Sequence, residues 1–488
     1  MSNNNFSGAA AFIESLKDKK VFVAGIGISN MPLIHFLSEK GVKNITAADS
    51  GGRNPAAREA VLAKMQKLAG DGIIKDFVVG ENYLDEAYKA DYIFKSPGIR
   101  FDHPGLVKAV ENGSVLTSEM EEFIRYCPAK IYGITGSDGK TTTTTLVKLL
   151  LEKANESTGV KVYVGGNIGE PLFSKMEQIR PQDLVVLELS SFQLLNMPLS
   201  TATAVVTNMS PNHLDMHKGM DEYIAAKQNI FLHGSKVTVL NEDNAITHGM
   251  KTLVKGELRT FSRKIKPENG AFMRRGKIYR VENGVEHFIM DRETIRIPGN
   301  HNVENYLAAI CAVGPAVSDD DICFVASTFN GVEHRIELCA EKNGVRYFNS
   351  SIDSSPKRTA VTLRVFRDKN IIMIAGGKDK NLRYDCIGAQ VCDKVKTLIL
   401  TGPTSAKIRT AVEKRIAARR AAGKDCNVEI IDATGFENAV ETAISKAKSG
   451  DIVLLSPAST SFDRFANFEE RGNLFKKIVR DAVNRLDN

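Results

Sequence analysis

The stretch Gly133-Ile-Thr-Gly-Ser-Asp-Gly-Lys-Thr-Thr142 lies between an apolar segment, 130–134, and a helix-forming segment, 143–151. A glycine-rich turn between a buried strand and a helix N-terminus directs several backbone N–H groups at one point, where the helix dipole favours a polyphosphate. We expect Lys140 to reach the terminal phosphates and the Thr141 hydroxyl to face Mg2+. Ile134 stands where the usual pattern has its first glycine, and such runs also occur by chance in loops. The strand–turn–helix context nevertheless favours an ATP site.

Length and composition predict a protein of about three domains, since 488 residues exceed what one core accommodates. Hydrophobic residues make up 43% and charged residues 25%, as in ordinary soluble proteins. The sequence contains no apolar run of about 18 residues, so it predicts no membrane span. The first residues lack a basic-then-apolar signal segment. We therefore expect a cytoplasmic protein. Its seven cysteines are scattered, which indicates reduced, mostly buried thiols and no zinc site.

The net charge of +7 is mild for this length and suits a protein with anionic ligands. The densest basic stretch, 414–424, lies on a predicted helix. A nucleic-acid surface and a solvated helix face both fit that stretch, and the second is favoured. We expect no nucleic-acid partner and, as a working prediction, a monomer.

The first predicted domain, 1–126, opens with a helix-like segment, and an apolar run from residue 20 into Gly25-Ile-Gly27 follows, as in a dinucleotide fold. A helix, 32–40, and a second strand, 44–49, complete the unit, and Asp49 follows Gly27 by 22 residues, where a carboxylate contacts a ribose. Asn30 replaces the third glycine. The pattern therefore predicts a general nucleotide or diphosphate site. Another strand, 91–95, ends in a turn at 96–99, which is also a place for ligand contact.

The second predicted domain, 127–331, contains the glycine-rich loop and a buried strand, 184–188, which ends in Glu188. That carboxylate fits the Mg2+ side of a nucleotide site, although a solvated strand end fits it too. The next strand leads to 213–217, whose two histidines and one aspartate fit metal ligands, phosphate contacts or a plain turn equally. A helix, 221–231, carries Lys227, for which the pattern alone favours a solvated surface lysine. Short alternating strands at 255–297 predict a β excursion.

The third predicted domain, 332–488, alternates strands with helices and places Gly, Ser or Asn at most strand ends. The predicted fold class is α/β with three domains. The N-terminal and C-terminal domains are Rossmann-like, and the central domain is P-loop ATPase-like with a mostly parallel sheet and the small β excursion.

Several motifs together resemble the Mur ligases of peptidoglycan synthesis, across essentially the whole chain. The shared features are the G-x-x-G-x-x-G-K-T loop, Gly-Asn-Ile-Gly at 166–169, His213, the asparagine-rich 299–305 and His334-Arg335. Three further runs resemble the D-glutamate-adding members of that family: 96–99, 188–193 and the long 455–472. The last run is specific enough to make chance occurrence negligible.

The resemblance implies an ATP-dependent acid–amino-acid ligase that joins D-glutamate to UDP-N-acetylmuramoyl-L-alanine through an acyl phosphate and releases ADP and phosphate. The resemblance also implies two Mg2+ ions and a carbamylated Lys227. This role conflicts with the solvated surface position that the helix pattern alone favours for Lys227. Alternatives within amide ligation are a sister Mur ligase and a folylpolyglutamate synthase. A nucleotide-binding regulator without turnover is the alternative from a different class.

Site residues follow from the same matching of motifs, each as an expectation. The catalytic set is Lys140, Glu188, His213 and Lys227, and the metal ligands are Thr141, Glu188, His213 and Lys227. ATP is assigned to Gly136, Ser137, Asp138, Gly139, Lys140, Thr141, Thr142, Asn302 and Arg335. The UDP-linked substrate is assigned to Ile28, Ser29, Asp49, Ser50, Gly98 and Asn167. D-glutamate is assigned to Lys380, Ser461 and Phe468.

One stretch, 349–356, departs from the family pattern. Ser350 stands at the usual aspartate position and Ile352 at the usual lysine position. Asp353 supplies the carboxylate from a shifted position, or ATP is held differently there, or the serine-rich stretch is a strand-to-helix cap. The residues leave these three interpretations open.

Overall fold

The computed structural model describes residues 5–52, 54–212 and 216–485. The chain forms two compact units, of which the first comprises Met1–Arg292 and Glu304–Val325 and the second Glu293–Val303 and Ala326–Asn488. Two sheets lie in the first unit and one in the second. The α/β class with three mainly parallel sheets is as predicted. The predicted domain boundaries after 126 and 331 stay predictions.

The first sheet has five parallel strands in the order β3-β2-β1-β4-β5. The strands are β1 (Val21–Ala24), β2 (Ile45–Asp49), β3 (Asp76–Val79), β4 (Tyr92–Lys95) and β5 (Val115–Thr117). The helices of this region are α1 (Asn5–Leu16), α2 (Asn30–Glu39), α3 (Pro55–Gly70), α4 (Pro104–Glu111) and α5 (Glu119–Tyr126). The carboxyl ends of the strands therefore meet at one edge, where the first predicted ligand site lies.

The second sheet has nine strands in the order β14-β13-β12-β11-β10-β9-β6-β8-β7. The strands are β6 (Lys130–Thr135), β7 (Val162–Gly166), β8 (Leu184–Glu188), β9 (Thr203–Val206), β10 (Val237–Asn241), β11 (Glu257–Ser262), β12 (Gly270–Arg274), β13 (Lys277–Glu282) and β14 (Val285–Asp291). The helices are α6 (Lys140–Ala154), α7 (Ser191–Leu194), α8 (Met220–Leu232), α9 (Ala245–Gly249), α10 (Asn300–Val313) and α11 (Asp319–Thr328).

The β excursion is the antiparallel end of this sheet, since β13 pairs antiparallel with both β12 and β14. Asn283 and Gly284 form the turn between β13 and β14, with φ of 50° and 76°. Asn-Gly in this left-handed conformation makes a tight hairpin whose twist matches its strands. The predicted excursion at 255–297 is confirmed.

The third sheet has six strands in the order β15-β16-β20-β17-β18-β19, and only the β15–β16 pair is antiparallel. The strands are β15 (Glu337–Lys342), β16 (Val345–Asn349), β17 (Ile371–Ala375), β18 (Val395–Leu400), β19 (Glu429–Asp432) and β20 (Ile452–Leu455). The helices are α12 (Pro356–Val365), α13 (Gly388–Lys394), α14 (Ser405–Ala421), α15 (Phe436–Lys446) and α16 (Phe468–Arg485).

Apolar packing makes the first two sheets one unit. One continuous core runs from α1 and α2 to β8 and β9, and Phe36 meets Phe173 edge-on with ring centroids 5.8 Å apart. Four of the seven cysteines are buried and none is in a disulfide, as predicted. Among the residues that the structure describes, no helix is long and apolar enough to cross a bilayer.

Candidate functional site

The glycine-rich loop connects the central strand β6 to the start of α6, as predicted. Ser137 N donates to Asn208 O at 2.9 Å, and Asp138 N donates to Asn208 Oδ1 at 3.0 Å. Lys140 Nζ folds back over the loop and donates to the carbonyls of Gly136 and Ser137, both at 3.0 Å. The first N–H groups of a helix have no carbonyl one turn back, so they are available to an anion. The loop is therefore built as a phosphate cradle.

Two glycines of the loop have backbone conformations and surroundings that exclude a side chain. Gly136 has φ of 143°, and a Cβ there would collide with Thr207 Oγ1. Gly139 has φ of 81°, and a Cβ there would collide with Asn305 Oδ1. The G-x-x-G-x-x-G spacing thus lets the loop pack closely against the end of β9 and against α10.

Lys227 is buried, with 1% of its surface exposed, so the surface position that the helix pattern favoured is wrong. Its Nζ donates to Thr135 Oγ1 at 3.0 Å and lies 5.0 Å from the centroid of the Tyr223 ring. Burial, with the positive charge of Lys140, lowers the pKa of Lys227 to about 7, while Glu188 acts in the opposite direction. A large part of this amine is therefore neutral and nucleophilic near neutral pH.

Glu188 ends β8, directly beside β6. Its Oε1 accepts a hydrogen bond of 2.8 Å from Asn167 Nδ2, and its backbone carbonyl accepts one of 2.7 Å from Asn167 N. Within the described residues, Oε2 is buried without a hydrogen-bond partner. A buried carboxylate oxygen costs free energy unless something binds it, so this atom indicates a ligand.

Mg2+ fits the residues around this oxygen, because hard oxygen ligands are those it prefers. The Glu188 carboxylate and the predicted ligand Thr141 are oxygen donors of this kind, and Lys227 would add a third if its amine were carbamylated. Among residues 5–52, 54–212 and 216–485, no group of three or more His, Cys, Asp or Glu side chains forms a complete metal site. The fit therefore depends on oxygens from a bound phosphate and from a modified lysine.

His213 and Asp215 lie outside the described residues, so the predicted catalytic and metal role of His213 stays a prediction. His217, which the sequence placed in the same cluster, is buried against Ser191 and Glu222. It stacks on Phe192 with ring centroids 5.3 Å apart. This histidine is thus engaged within the protein.

The residues assigned to the UDP-linked substrate lie at the carboxyl edges of their sheets. Ile28, Ser50 and Gly98 are exposed there, and Ser29 is half-buried before α2. Asp49 uses its carboxylate to accept from Ile26 N at 3.1 Å and Gly51 N at 2.9 Å. It therefore holds the Gly-x-Gly turn in shape. Asn167 follows β7, and its contact is with Glu188.

The residues assigned to D-glutamate all belong to the second unit. Lys380 and Ser461 lie on loops that follow the adjacent strands β17 and β20, and Lys378 N donates to Thr460 O at 2.8 Å between those loops. Phe468 starts α16 and meets the His334 ring edge-on at 5.9 Å. The assignment of these three residues to D-glutamate stays a prediction.

Arg335 and Asn302, both assigned to ATP, also belong to the second unit. His334 and Ile336, on either side of Arg335, have φ of 60° and 48°. Such strain in non-glycine residues collects at functional sites. Asn302 lies in the first turn of α10, and its Nδ2 donates to Pro298 O at 2.6 Å.

Asp353 is buried in the second unit, away from solvent. Ser456 Oγ donates to Asp353 Oδ2 at 2.8 Å, and the hydroxyls of Ser350 and Thr362 also bond to this carboxyl. Burial raises its pKa. These internal bonds favour a structural role for Asp353 over a shifted contact with ATP. Ser355 takes the N-cap position of α12 without a side-chain capping bond.

Arg471 braces the loops beside the predicted D-glutamate residues. This buried guanidinium donates to Ser351 Oγ at 3.0 Å, Ser351 O at 2.8 Å and Ser459 O at 3.1 Å. Replacing it by methionine fills a similar volume but leaves two buried carbonyls without donors.

We expect Arg471→Met to lower the free energy of unfolding by about 3 kcal/mol. Urea unfolding of the full chain, followed by circular dichroism, measures this change. Arg480→Met, at an exposed position of the same helix, is the matched control and should change it by less than about 0.5 kcal/mol. Equal midpoints for the two variants would show that the Arg471 bonds add nothing to stability.

Several contributing residues were not assigned to the site from the sequence. Thr207, Asn208 and Asn305 shape the phosphate loop, and Thr135 holds Lys227. The only sequence signal was the asparagine-rich stretch 299–305, which contains Asn305. The others bond to the loop across 69 to 92 residues of chain, which spacing does not reveal.

A glycine-rich loop between a central parallel strand and a helix, beside a buried carboxylate on the neighbouring strand, defines a phosphate-loop nucleotide-binding α/β protein. Residues 134–313 match the Mur ligase middle domain, and residues 334–459 match the Mur ligase glutamate ligase domain. The chain belongs to the Mur ligase family.

Two curated relatives show how far the similarity extends. The UDP-N-acetylmuramoylalanine–D-glutamate ligase of Clostridium acetobutylicum is 47% identical over 481 residues, covering 96% of this chain and 98% of the relative. The enzyme of the same name from Clostridium novyi is 48% identical over 472 residues, covering 96% and 98%. Both relatives match essentially from end to end.

Among solved structures, the UDP-N-acetylmuramate–alanine ligase of Thermotoga maritima matches with a TM-score of 0.53 and 16% identity. The match covers 95% of this chain and 100% of that chain. At this identity the similarity concerns the fold alone, and it agrees with the three sheets described above.

Proposed function

We propose that this chain is an ATP-dependent ligase that joins D-glutamate to UDP-N-acetylmuramoylalanine. The observation that carries the proposal is the 47–48% identity to ligases of that name over nearly the whole of both chains. The phosphate loop beside the Glu188 carboxylate supports it independently. We further propose that the enzyme works in the cytoplasm as a monomer.

Amide formation from a carboxylate needs activation, because the anion repels nucleophiles and an oxide ion does not leave. In the proposed reaction, a carboxylate oxygen of the alanine attacks the γ-phosphorus of ATP, and ADP departs. The amine of D-glutamate then attacks the acyl carbon and loses a proton. The bond between that carbon and the phosphate oxygen breaks, and inorganic phosphate leaves with the oxygen and the electron pair of that bond. Catalysis of this kind rests mainly on positioning and on neutralising oxygen charge.

Within that reaction, Lys140 is the residue we assign to the γ-phosphate. In the structure its ammonium group caps two loop carbonyls, and we propose that it exchanges these for phosphate oxygens when ATP binds. The N–H groups of Gly139, Thr141 and Thr142 then complete the cradle around the phosphates. The exposed Asp138 backbone stays tied to Asn208 and keeps the loop in shape.

We propose that Thr141, Glu188, His213 and carbamylated Lys227 hold two Mg2+ ions. The unpartnered Oε2 of Glu188 supports this assignment. Mg2+ held by these residues would supply positive charge near the γ-phosphate and the acyl carboxylate, which would let the two anions approach one another. Asn167 orients the Glu188 carboxylate toward that space through its bond to Oε1.

The carbamate forms when the neutral Lys227 amine adds to CO2 and releases one proton. Burial supports this step, because it lowers the pKa of the amine to about 7 and so supplies the neutral form. The product carries a negative charge next to Lys140, which replaces a repulsion between two cations with an attraction.

The substrates are assigned by sheet edge. We propose that Ile28, Ser29, Asp49, Ser50, Gly98 and Asn167 bind the UDP-linked substrate. We propose that Lys380, Ser461 and Phe468 bind D-glutamate, and that Asn302 and Arg335 complete the ATP site. Ser350 and Ile352 replace the family's aspartate and lysine, so the ATP contact near them differs from the family pattern.

The test is release of phosphate by the purified chain with ATP, Mg2+, UDP-N-acetylmuramoyl-L-alanine and a panel of amino acids. We expect release in proportion to amide product, with D-glutamate and not with L-glutamate, L-lysine or diaminopimelate. Turnover with another amino acid would identify a sister ligase. Nucleotide binding without amide product under any condition would contradict the proposal and favour a regulator.

A further inference from the structure

Arg100 links a loop of the first sheet to helix α8 beside the second sheet within the first unit. Arg100, in the loop after β4, uses all five of its N–H groups. It donates to Asp102 at 2.8 and 3.0 Å, to Glu222 at 2.8 and 3.0 Å, and to the carbonyl of Met216 at 3.1 Å. Its hydrogen bonds to Glu222 lower the pKa of that carboxyl to about 2. The pair is therefore charged throughout the physiological range.

The chain of contacts continues from Glu222 into the interior. Glu222 Oε2 lies 3.3 Å from His217 Nδ1, and His217 Nε2 lies 2.9 Å from Ser191 Oγ. A carboxylate only accepts, so Nδ1 carries a proton and Nε2 of the neutral ring accepts from the serine hydroxyl. The ring is fixed in this orientation between Phe192 and Tyr223. We call Arg100, Asp102, Glu222, His217 and Ser191 the Arg100–His217 network.

Both ends of this network lie beside residues of the proposed site. At one end, Arg100 follows Gly98, which we assign to the UDP-linked substrate, by two residues. At the other end, Ser191 follows Glu188 by three residues at the carboxyl end of β8. Tyr223, adjacent to Glu222, bonds to Ser137 of the phosphate loop at 3.0 Å and covers Lys227 Nζ.

We propose that Arg100, Glu222 and His217 are positioning residues. They fix the loop after β4, which contains Gly98, relative to the carboxyl ends of β6 and β8. They touch no reacting atom in this account. Their effect is to hold the acyl carboxylate at attacking distance from the γ-phosphate. Misplacement of reacting groups by about 1 Å lowers the rate by up to about 100-fold. The inference rests on the proposed function for the identity of the substrate.

The network differs from an ordinary surface ion pair in two respects. The His217 side chain is fully buried, whereas exposed pairs such as Lys148–Glu152 hold solvent-facing side chains. The network also contains bonds from Arg100 to Met216 and Glu222, which lie 116 and 122 residues further along the chain, beside the other sheet. An ion pair within one helix stabilises only that helix. Its geometry is thus suited to setting a distance between two binding regions.

Three replacements of His217 separate the contacts of its two nitrogens. His217→Asn keeps an amide near the Nδ1 position and the bond to Glu222, His217→Gln keeps one near the Nε2 position and the bond to Ser191, and His217→Phe keeps only the stacking. We expect kcat to fall roughly 10- to 100-fold in His217→Phe and less in Asn and Gln. The KM for ATP should stay within about twofold, because no hydrogen bond of His217 goes to the phosphate loop.

A double-mutant cycle tests whether the network acts as one unit. Ser191→Ala should lower kcat in the wild-type background but add less than about twofold in His217→Phe. Arg125→Ala is the matched control, since Arg125 pairs with Glu121 and Glu122 outside the network, and its kinetics should equal those of the wild type. All rates are measured below the thermal midpoint of each variant, so that unfolding does not enter.

Calorimetric binding of UDP-N-acetylmuramoyl-L-alanine to Arg100→Ala and Arg100→Lys needs no turnover and separates this inference from the proposed function. If the wild type forms no D-glutamyl product but binds the UDP-linked substrate, the proposed ligase fails while the binding data still decide on the network. We expect Arg100→Ala to weaken that binding about tenfold and Arg100→Lys to restore part of it. Arg100 variants that bind and turn over like the wild type would overturn the inference. So would a double variant of Ser191 and His217 whose loss of kcat equals the product of the two single losses.

Discussion

Lys140→Ala is expected to lower D-glutamate-dependent phosphate release by about a thousandfold, one of the two largest effects of a single substitution in the site. The lysine supplies the positive charge at the loop that we assign to the γ-phosphate, where charge develops during phosphoryl transfer. Release of phosphate from ATP, measured with saturating substrates, gives the rate. We expect the loss mainly in kcat, because the loop backbone still binds the nucleotide.

Lys148→Ala is the matched control for this variant. Lys148 lies on the same helix, α6, and pairs on the surface with Glu152 at 3.4 Å. Its replacement should leave the rate within about twofold. If Lys140→Ala retained a tenth or more of the wild-type rate, the γ-phosphate assignment of this loop would be wrong.

Lys227→Ala is expected to lower the rate of D-glutamate-dependent phosphate release by about a thousandfold. Short-chain carboxylic acids such as acetate and propionate should restore part of that rate. The substitution removes the amine that we propose to be carbamylated, and it leaves space beside Thr135 that a free carboxylate can enter. Because the amine must be neutral to add CO2 and its pKa is lowered to about 7, reloading of the CO2-depleted wild type should be faster at pH 8 than at pH 6.

The control for the acid rescue is Lys236→Ala, at an exposed position beyond the end of α8. It should need no acid and show no response to one. Acid concentration series at constant ionic strength distinguish specific rescue from a salt effect. A fully active Lys227→Ala variant, or one that acids never rescue, would eliminate the carbamate.

The phosphate loop was predictable because its determinants are local. An apolar strand, glycines at 133, 136 and 139, and a helix-forming run adjoin in the chain, and the structure has β6 and α6 there. Lys227 shows the opposite case. Its helix was predicted correctly, but its burial results from packing of α8 against Thr135 and Tyr223, which lie in different elements. Only the resemblance to the family pointed to the role that we propose for Lys227.

The contacts that hold the site together were beyond sequence reasoning. Arg100 and Glu222 are 122 residues apart, and neither residue type nor spacing relates them. The sequence does not decide whether the Asp353 carboxyl contacts a ligand or has a structural role. The direction of this carboxyl depends on Ser456, at the end of another strand. Pairings of this kind are set by strand order, which the periodicity of a single chain does not determine.

The most direct test of phosphate transfer to a carboxylate uses substrate labelled with 18O in both carboxylate oxygens of the alanine. The account predicts one 18O in the inorganic phosphate for each D-glutamyl amide formed, detected by the isotope shift in phosphorus NMR, because the acyl phosphate breaks between carbon and the labelled oxygen. Phosphate that forms together with the amide but contains no 18O would contradict the acyl phosphate and, with it, the role assigned to the loop at 133–142.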